Sequence, residues 1–509
     1  MGTVLVFKAE NVSHMIVPEQ TLTEQQVNKG LKLAIIEGLT TEVMTSFTAG
    51  AFLTAMALLM GASNSQIGLL AALPSFTNFF QLFSIWLVKK YNNRRLVAVV
   101  CSIFARIPLV IIGLIAFFSS GSSTVNLLIF FLFFYYMFGA VAGPSWNAWM
   151  KDLVPEQSLG SYFAKRSSYM QMLNIGVSLA LAIAVDYVKK NYASIELQTY
   201  GILFLGAGTV GVIGAMILSR VPEPLGVAPQ GNMLSLFKYP LKDQNFRRLL
   251  IFNSGWSFAL NIATPFFTVF MLTTLQLSLS YIIGLSIASQ LFSILTIRTW
   301  GASADKYSNK TIIAIAGPLY ILCIIAWCFV GLYPYFYPNL ILLLVIHIFT
   351  GIATAGVNLA VTNIGLKLSP KQHAVVYLSS KNMITSMFAS LGPIVGGWMA
   401  DYFVDRSLTV NASWMTPSKE QVVHLVSLNG FNFLFLIGAF LALLMLQLLV
   451  RVNEVGEVEK GLVRRIIRRT LRSGVKDFFV IDTLISWHSH VWKIVQERLL
   501  RRVPGDGSV

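Results

Sequence analysis

The chain has 509 residues, of which 55% are hydrophobic and only 12% charged, and its formal net charge is +16. Soluble globular domains carry about twice this share of charged residues. The composition therefore excludes a soluble multidomain enzyme and a disordered chain. It also excludes a β-barrel, whose strands alternate between apolar and polar residues, because here solid apolar runs of roughly 20 residues recur along the chain.

These apolar runs predict an all-α integral membrane protein with twelve transmembrane helices. The predicted spans cover residues 35–60, 67–88, 96–118, 127–149, 168–188, 199–219, 249–273, 279–299, 312–332, 340–366, 383–404 and 429–450.

The basic residues are distributed unequally between alternate loops. If the N-terminus is cytoplasmic, all Lys and Arg residues except five lie on the cytoplasmic side. The exceptions are Lys189, Lys190, Arg406 and Lys419 in outer loops, and Arg106 within a span. Short basic loops stay in the cytoplasm during membrane insertion. We therefore predict a multi-pass protein of the plasma (inner) membrane with both termini cytoplasmic, and we attribute the positive charge to topology rather than to nucleic-acid binding.

An internal repeat relates the two halves of the chain. Residues 67–69 and 283–285 are both Ile-Gly-Leu, at an offset of 216. At an offset of 215, Arg166 corresponds to Lys381, and the Leu, Pro and Tyr residues before each of them also match. The repeat predicts two six-helix pseudo-symmetric bundles. The predicted segments are a cytoplasmic N-terminal segment at 1–32, a first bundle at 33–219, a cytoplasmic central loop at 220–247, a second bundle at 248–451, and a basic amphipathic cytoplasmic tail at 452–509.

The segment between predicted spans 8 and 9, Gly301-Ala302-Ser303-Ala304-Asp305-Lys306-Tyr307-Ser308-Asn309-Lys310, resembles the inter-span signature of the major facilitator superfamily. Four other stretches resemble a prokaryotic group of that superfamily whose substrates are unassigned. They are Glu37-Gly38 with residues 50–53, residues 67–72, residues 146–166 and residues 391–398. The resemblance implies a major-facilitator-like fold and transport by alternating access.

The resemblance also implies that the acid of this signature helps to close the cytoplasmic side by binding the other half. Asp305, which precedes Lys306, is expected to pair with Arg166. The corresponding pair from the first-half copy is Lys89 and Lys381, which repel each other. We therefore predict an asymmetric cytoplasmic gate, and the alternative is that Lys89 simply points to lipid headgroups.

Two acids in span 1 are candidates for proton coupling, because a charge inside a membrane span is costly and needs an explanation. Glu42 and Glu37 lie on a helix that, in the fold implied by the resemblance, lines the central cavity. Since they are five residues apart, we expect only one of them to face that cavity. The alternative is hydrogen bonding to a neighbouring helix or pairing with Arg106, which we expect to brace the first half. His347 in span 10 is a third candidate.

Amide and indole side chains within the spans are candidates for a substrate cavity, because they suit an uncharged or amphipathic solute. The candidates are Trp146, Asn147, Trp149, Asn174, Asn253, Trp256, Asn261, Gln290 and Asn358. For each of them, hydrogen bonding between helices is the alternative. The scarcity of basic residues in these spans argues against a multiply anionic substrate.

The chain contains no nucleotide-binding loop, nucleophile elbow or zinc-ligand spacing, so we predict no enzyme activity, cofactor or metal. We predict a secondary active or facilitative transporter of a small solute, a symporter or antiporter for which proton coupling is one option. The alternative is a non-transporting membrane scaffold, assembly factor or sensor subunit. Residues 460–502 are rich in basic residues, which lie on one helical face at 464–472. This tail is expected to bind anionic lipid headgroups or a protein partner.

Overall fold

The computed structural model describes residues 18–19, 22–48, 50–118, 122–226, 238–331, 336–370, 373–416 and 419–454. The predicted basic tail at 460–502 lies outside the described residues, and so do residues 227–237 of the predicted central loop.

Twelve helices in the described ranges are long and apolar enough to cross a membrane, which confirms the predicted number of spans. Spans 1–6 are formed by Glu24–Thr48 with Gly50–Leu59, Asn64–Thr77 with Gln81–Tyr91, Arg94–Phe118, Ser122–Leu153, Leu159–Asn191 and Glu196–Leu218. A short helix, Lys238–Lys242, precedes the second half. Spans 7–12 are formed by Gln244–Thr273, Leu279–Tyr307, Asn309–Ala326, Phe336–Leu368, Ala374–Phe403 and Phe431–Leu448.

Several helices extend well beyond their apolar runs. Spans 5 and 10 each have 33 residues, which corresponds to about 50 Å of helix, whereas the hydrocarbon core is about 30 Å thick. Span 5 was predicted at 168–188, but its helix begins at Leu159 and ends at Asn191. Hydropathy detects only the part of a helix that lies in lipid. The predicted spans therefore omit the polar ends and are shorter than the helices.

A β-hairpin connects spans 11 and 12, where the sequence analysis assigned no strand. Strand β1, Ser407–Thr416, pairs antiparallel with strand β2, Lys419–Asn429, and the register is irregular between Val410 and Asn411. We call the side of the bundle at which span 1 begins the terminal face, and the other side the opposite face. Because the spans alternate in direction, the hairpin lies at the opposite face.

The two halves repeat each other at an offset of 215 residues. Ser63 and Ser278 are the N-caps of spans 2 and 8, and each side chain accepts a hydrogen bond from the backbone in the first turn. Spans 3 and 9 begin at Arg94 and Asn309, which are also 215 residues apart. The two pseudo-symmetric bundles are thereby confirmed. The Ile-Gly-Leu match, at 216, is shifted by one residue from this structural register.

Spans 2 and 11 bring the two halves into close contact. A Cβ atom on Gly68 would lie 2.2 Å from the carbonyl oxygen of Pro393, and one on Gly397 would lie 2.5 Å from that of Asn64. Only glycine allows the two helices to approach this closely. Nearer the membrane centre, Asn78 donates a hydrogen bond to Ser386 at 3.2 Å across the same contact.

Two carboxylates join the halves at the opposite face. Asp401, in the last turn of span 11, accepts hydrogen bonds from the backbone N–H groups of Asn64 and Ser65, at 3.0 and 2.9 Å. Asp186, near the end of span 5, accepts them from Leu279 and Ser280, at 2.8 and 2.7 Å. We call these contacts the opposite-face caps. Each places a negative charge at the positive end of a helix dipole, and they are related by the offset of 215.

Two further carboxylates cap helices at the terminal face, each within its own half. Glu223, after span 6, accepts hydrogen bonds from the backbone N–H groups of Arg94 and Arg95, at 2.9 and 3.0 Å. Glu454, after span 12, accepts them from Asn309 and Lys310, at 3.2 and 2.9 Å. We call these contacts the terminal-face caps. They tie the last span of each half to the third span of the same half.

The terminal-face cap of Glu454 makes stability depend on pH. Burial raises the pKa of this carboxyl, but hydrogen bonds from Lys367, Asn309 and the backbone N–H groups of Asn309 and Lys310 outweigh burial and lower the pKa below its ordinary value of 4.5. The charged form is therefore the one that folding favours. The stabilisation is present above pH 4.5 and is lost as the pH falls through the lower pKa of the folded protein.

We predict that Glu454→Gln destabilises the protein by about 2 kcal/mol near neutral pH, because it weakens charge-assisted hydrogen bonds to the start of span 9. The difference from the parent protein should shrink as the pH falls below 4.5. Thermal unfolding of both proteins in detergent measures the effect. Glu156→Gln, at an exposed position, is the control. A stability difference that does not change with pH would contradict the assigned role.

Candidate functional site

A cavity of about 480 Å³ lies within the first half and is lined by side chains from all six of its spans. Most lining residues lie in the parts of their spans nearer the terminal face. Three lining residues are charged, namely Glu37, Arg106 and Arg166. We call this cavity the first-half pocket. Charged side chains at such depth are rare in membrane spans and are typical of binding or coupling sites.

An ion pair between spans 1 and 5 forms one wall of the pocket. Arg166 Nη2 donates to Glu37 Oε2 at 3.2 Å, and Arg166 Nε donates to the carbonyl oxygen of Ala34 at 3.2 Å. Thr41 donates to the other carboxylate oxygen of Glu37 at 2.9 Å. The guanidinium group can lie against span 1 because residue 38 is Gly38, where a Cβ atom would be 2.6 Å from Arg166 Nη2.

Arg106 forms a second wall and has no carboxylate partner within the described ranges. Its side chain is 94% buried. Nε donates to the carbonyl oxygen of Gly211 in span 6 at 3.1 Å, and Nη1 donates to that of Ser102 at 2.7 Å. Arg106 therefore braces spans 3 and 6 as expected, but it also lines the pocket, which the sequence analysis did not predict.

Aromatic side chains of span 4 complete the pocket. Tyr135 and Tyr136 line it with their ring centroids 4.8 Å apart, and the Arg166 guanidinium group lies 4.6 Å from the ring centroid of Trp146. Asn147 also lines the pocket and is exposed. The two tyrosines were missed because they end a run of aromatic residues from Phe130, in which no periodicity marks a pocket-facing side.

The two acids of span 1 face different surroundings. Glu37 lines the pocket, whereas Glu42 does not and instead lies beside Asn174 of span 5. Asn174 also donates to Ser46 at 2.9 Å. Glu42 and Asn174 thus lie at a contact between spans 1 and 5, where hydrogen bonding between helices accounts for their polarity.

Several predicted cavity residues have structural roles instead. The Trp149 indole is buried and donates to the carbonyl oxygen of Pro222 at 2.9 Å. Trp256 is buried in the core of the second half beside Phe252. Neither tryptophan lines the first-half pocket, because both side chains are buried against adjacent helices. The Asn261 side chain donates to the carbonyl oxygen of Ser257 in its own helix, at 2.7 Å.

The remaining candidates of the second half do not line the first-half pocket. The buried Asn253 side chain has no hydrogen-bond partner among the described residues. Gln290 and Asn358 are exposed. A ring nitrogen of His347 is 2.8 Å from the carbonyl oxygen of Leu343 in the same helix, and the ring packs against Trp327. These contacts favour the structural alternative for His347.

The predicted ion pair between Asp305 and Arg166 is not formed, because Arg166 binds Glu37 within its own half. Asp305 and Lys306 are exposed near the terminal face, and Lys89 is exposed as well. The buried Lys381 donates to the carbonyl oxygen of Val361 at 3.3 Å.

The gate residues that were expected to bind across the halves therefore bind within them or face outward. At the opposite face, by contrast, the halves are joined by carboxylates. Twelve spans in two pseudo-symmetric halves, with a charged pocket between helices, define a membrane transporter fold.

Comparison with known proteins identifies the family. The sequence profile of the Major Facilitator Superfamily matches residues 38–337. The chain belongs to this superfamily, which confirms the resemblance noted from the sequence. No curated protein sequence matches the chain.

Solved structures share the fold at low sequence identity. A mutant of the nucleoside transporter NupG is 14% identical with a TM-score of 0.63, over 84% of this chain and 100% of that one. A D-xylose-proton symporter is 14% identical with a TM-score of 0.59, over 84% and 99%. The xylose transporter XylE from E. coli, in an inward open conformation, is 15% identical with a TM-score of 0.55, over 86% and 98%.

We predict that Glu37→Gln lowers thermal stability strongly, by about 3 kcal/mol, because it leaves the Arg166 guanidinium group buried without its partner. The double variant Glu37→Gln with Arg166→Gln should regain a large part of that loss. A double-mutant cycle on thermal unfolding in detergent measures the coupling between the two side chains. Glu42→Gln is the matched control, since Glu42 makes no ion pair in the described ranges. Strictly additive losses would show that the pair is not a stabilising unit.

Proposed function

We propose that this protein is a secondary active or facilitative transporter that moves a small solute by alternating access between the bundles at 33–219 and 248–451. One observation carries the proposal. The charged first-half pocket lies nearer the terminal face, while Asp186 and Asp401 hold the halves together at the opposite face. In alternating access, each state is closed at one face of the membrane while its binding site lies towards the other face.

The distribution of basic residues supports an orientation in the plasma (inner) membrane with both termini cytoplasmic. In that orientation the opposite face is external, and the structure represents a state closed to the outside. The similar XylE structure is also described as inward open. The outward state would then require the opposite-face caps to break and a new contact to form at the terminal face.

Arg166 is the candidate for that new contact. In the structure its charge is balanced by Glu37, 3.2 Å away. Protonation of Glu37 would remove this balance and free Arg166 to bind Asp305 of the other half, as the sequence analysis expected. A proton would thereby be linked to closure of the terminal face. The ion pair with Arg166 and the position in the pocket lining support Glu37, in preference to Glu42 and His347, as the proton-coupling group. Similarity to a D-xylose-proton symporter is compatible with such coupling.

Removing the opposite-face caps should shift the protein towards the outward state. If the double variant Asp186→Asn with Asp401→Asn loses about 1 kcal/mol of dipole stabilisation at each cap, the equilibrium changes by roughly 30-fold. An added cysteine at the pocket position Asn147→Cys reports the change, through its labelling by an impermeant thiol reagent from each side of the membrane. Labelling from the opposite face should rise strongly.

The control for this experiment is Glu223→Gln, which removes a carboxylate cap of the same kind within one half. It should lower stability without altering the side from which residue 147 is labelled. Equal changes from both variants would mean that the caps only stabilise helices. Unchanged labelling in the double variant would contradict alternating access through these contacts.

Proton coupling makes a separate prediction. Glu37→Gln should imitate the protonated form, so labelling at residue 147 should no longer respond to pH. Glu42→Gln should retain the pH dependence of the parent protein. The opposite result would assign coupling to Glu42. A pH dependence that survives in both variants would exclude the two acids of span 1.

A further inference from the structure

The first-half pocket has one more positive charge than negative charge. Glu37 and Arg166 balance each other through their ion pair. Arg106, 94% buried, donates its hydrogen bonds in the described ranges only to backbone carbonyl oxygens, and Glu37, the acid whose charge acts on it, is already ion-paired with Arg166. A buried cation without a partner is costly in a membrane span. A ligand with a single negative charge would compensate Arg106, whereas a multiply charged anion would exceed what the pocket offers.

Two hydrogen-bond donors among the pocket-lining side chains lack an acceptor in the described part of the chain. Among the described residues, Nη2 of Arg106 has no acceptor, and neither has the indole N–H of Trp146. The obvious acceptor, the Glu37 carboxylate, is already occupied by Arg166 and Thr41. An unpaired guanidinium N–H in the pocket favours a negatively charged group that accepts hydrogen bonds. A carboxylate meets this requirement, because its two oxygens match the geometry of arginine.

Several of the other residues that line the pocket suit an apolar or aromatic body, and they lie alongside polar side chains such as Asn78 and Gln81. Tyr135, Tyr136 and Trp146 line it together with Met44 and Pro74. A volume of about 480 Å³ is within the usual range for sites of small organic ligands. Flat rings can pack against these aromatic walls while a carboxylate reaches Arg106.

We propose that the first-half pocket binds an organic monocarboxylate with an aromatic or apolar body, and that Arg106 binds its carboxylate. The inference rests on the proposed transport function and names the class of substrate. Arg106 thus has two roles, since Nε and Nη1 brace spans 3 and 6 while Nη2 remains available to the ligand.

The test compares each acid with its uncharged amide of nearly the same shape. The probes are benzoate and benzamide, nicotinate and nicotinamide, and indole-3-acetate and indole-3-acetamide. Binding to the full chain in lipid nanodiscs is measured by thermal shift and by protection of the cysteine at position 147 from labelling. At least one acid should bind tenfold or more tightly than its amide. This comparison needs no substitution at Arg106, so it does not depend on how well a variant folds.

Variants then assign the charge. Arg106→Gln should abolish the preference for the acid, and Arg106→Lys should retain part of it because the cation remains. Arg247→Gln is the matched control, since this arginine is exposed and lies outside the pocket. Equal binding of acids and amides, a preference that survives Arg106→Gln, or no binding of any of the three acids would each overturn the inference.

Failure of this inference can be distinguished from failure of the proposed function. If the carboxylates do not bind but residue 147 is still labelled alternately from the two faces, transport remains and the substrate class is wrong. If labelling shows a single fixed state, the transport proposal itself fails.

Discussion

The fold depends on one repeated interaction, a carboxylate that accepts two backbone N–H groups at the start of a membrane helix. Asp186, Asp401, Glu223 and Glu454 each make this contact. The first turn of any helix has N–H groups without intrahelical acceptors, and lipid offers none. A carboxylate supplies both oxygens and also compensates the helix dipole. The position of each acid then decides what it joins: two halves at the opposite face, and spans of one half at the terminal face.

The pseudo-symmetry of the caps contrasts with the asymmetry of the pocket. The caps repeat at an offset of 215 at the opposite face, but two of the three charged residues of the first-half pocket have no charged counterpart at the same offset. Phe252 stands in the second half where Glu37 stands in the first, and Ile321 corresponds to Arg106. Arg166 corresponds to Lys381, which binds only a backbone carbonyl oxygen. One half therefore carries the ionic chemistry, while the other packs aromatic residues such as Trp256 and Trp327 into its core.

Arg166 links these two features. The family resemblance implied that Arg166 forms an ion pair across the halves. In the structure it lines the first-half pocket and pairs with Glu37 of its own half. A side chain that can balance its charge in two places can connect occupancy of a pocket with closure of a face, because it cannot pair with both acids fully at once. The exposed Asp305 leaves the second partner available. In the proposed transport cycle, competition between the two carboxylates for Arg166 would give the gate a physical basis that helix packing alone would not supply.

The sequence by itself determined the membrane class, the twelve spans and the repeat. Apolar runs and the polar residues at their ends are local properties, so they can be recognised without knowledge of tertiary contacts. It also singled out Glu37, Trp146, Asn147 and Arg166, since polar groups in lipid are rare enough to be noticed. Only the tertiary structure decided which of them meet. In the folded chain Arg106 lines the pocket, Trp149 donates a hydrogen bond to Pro222 instead of lining it, and Arg166 pairs with Glu37. Such assignments depend on the rotation of each helix about its axis, which is set by packing against neighbours distant in sequence.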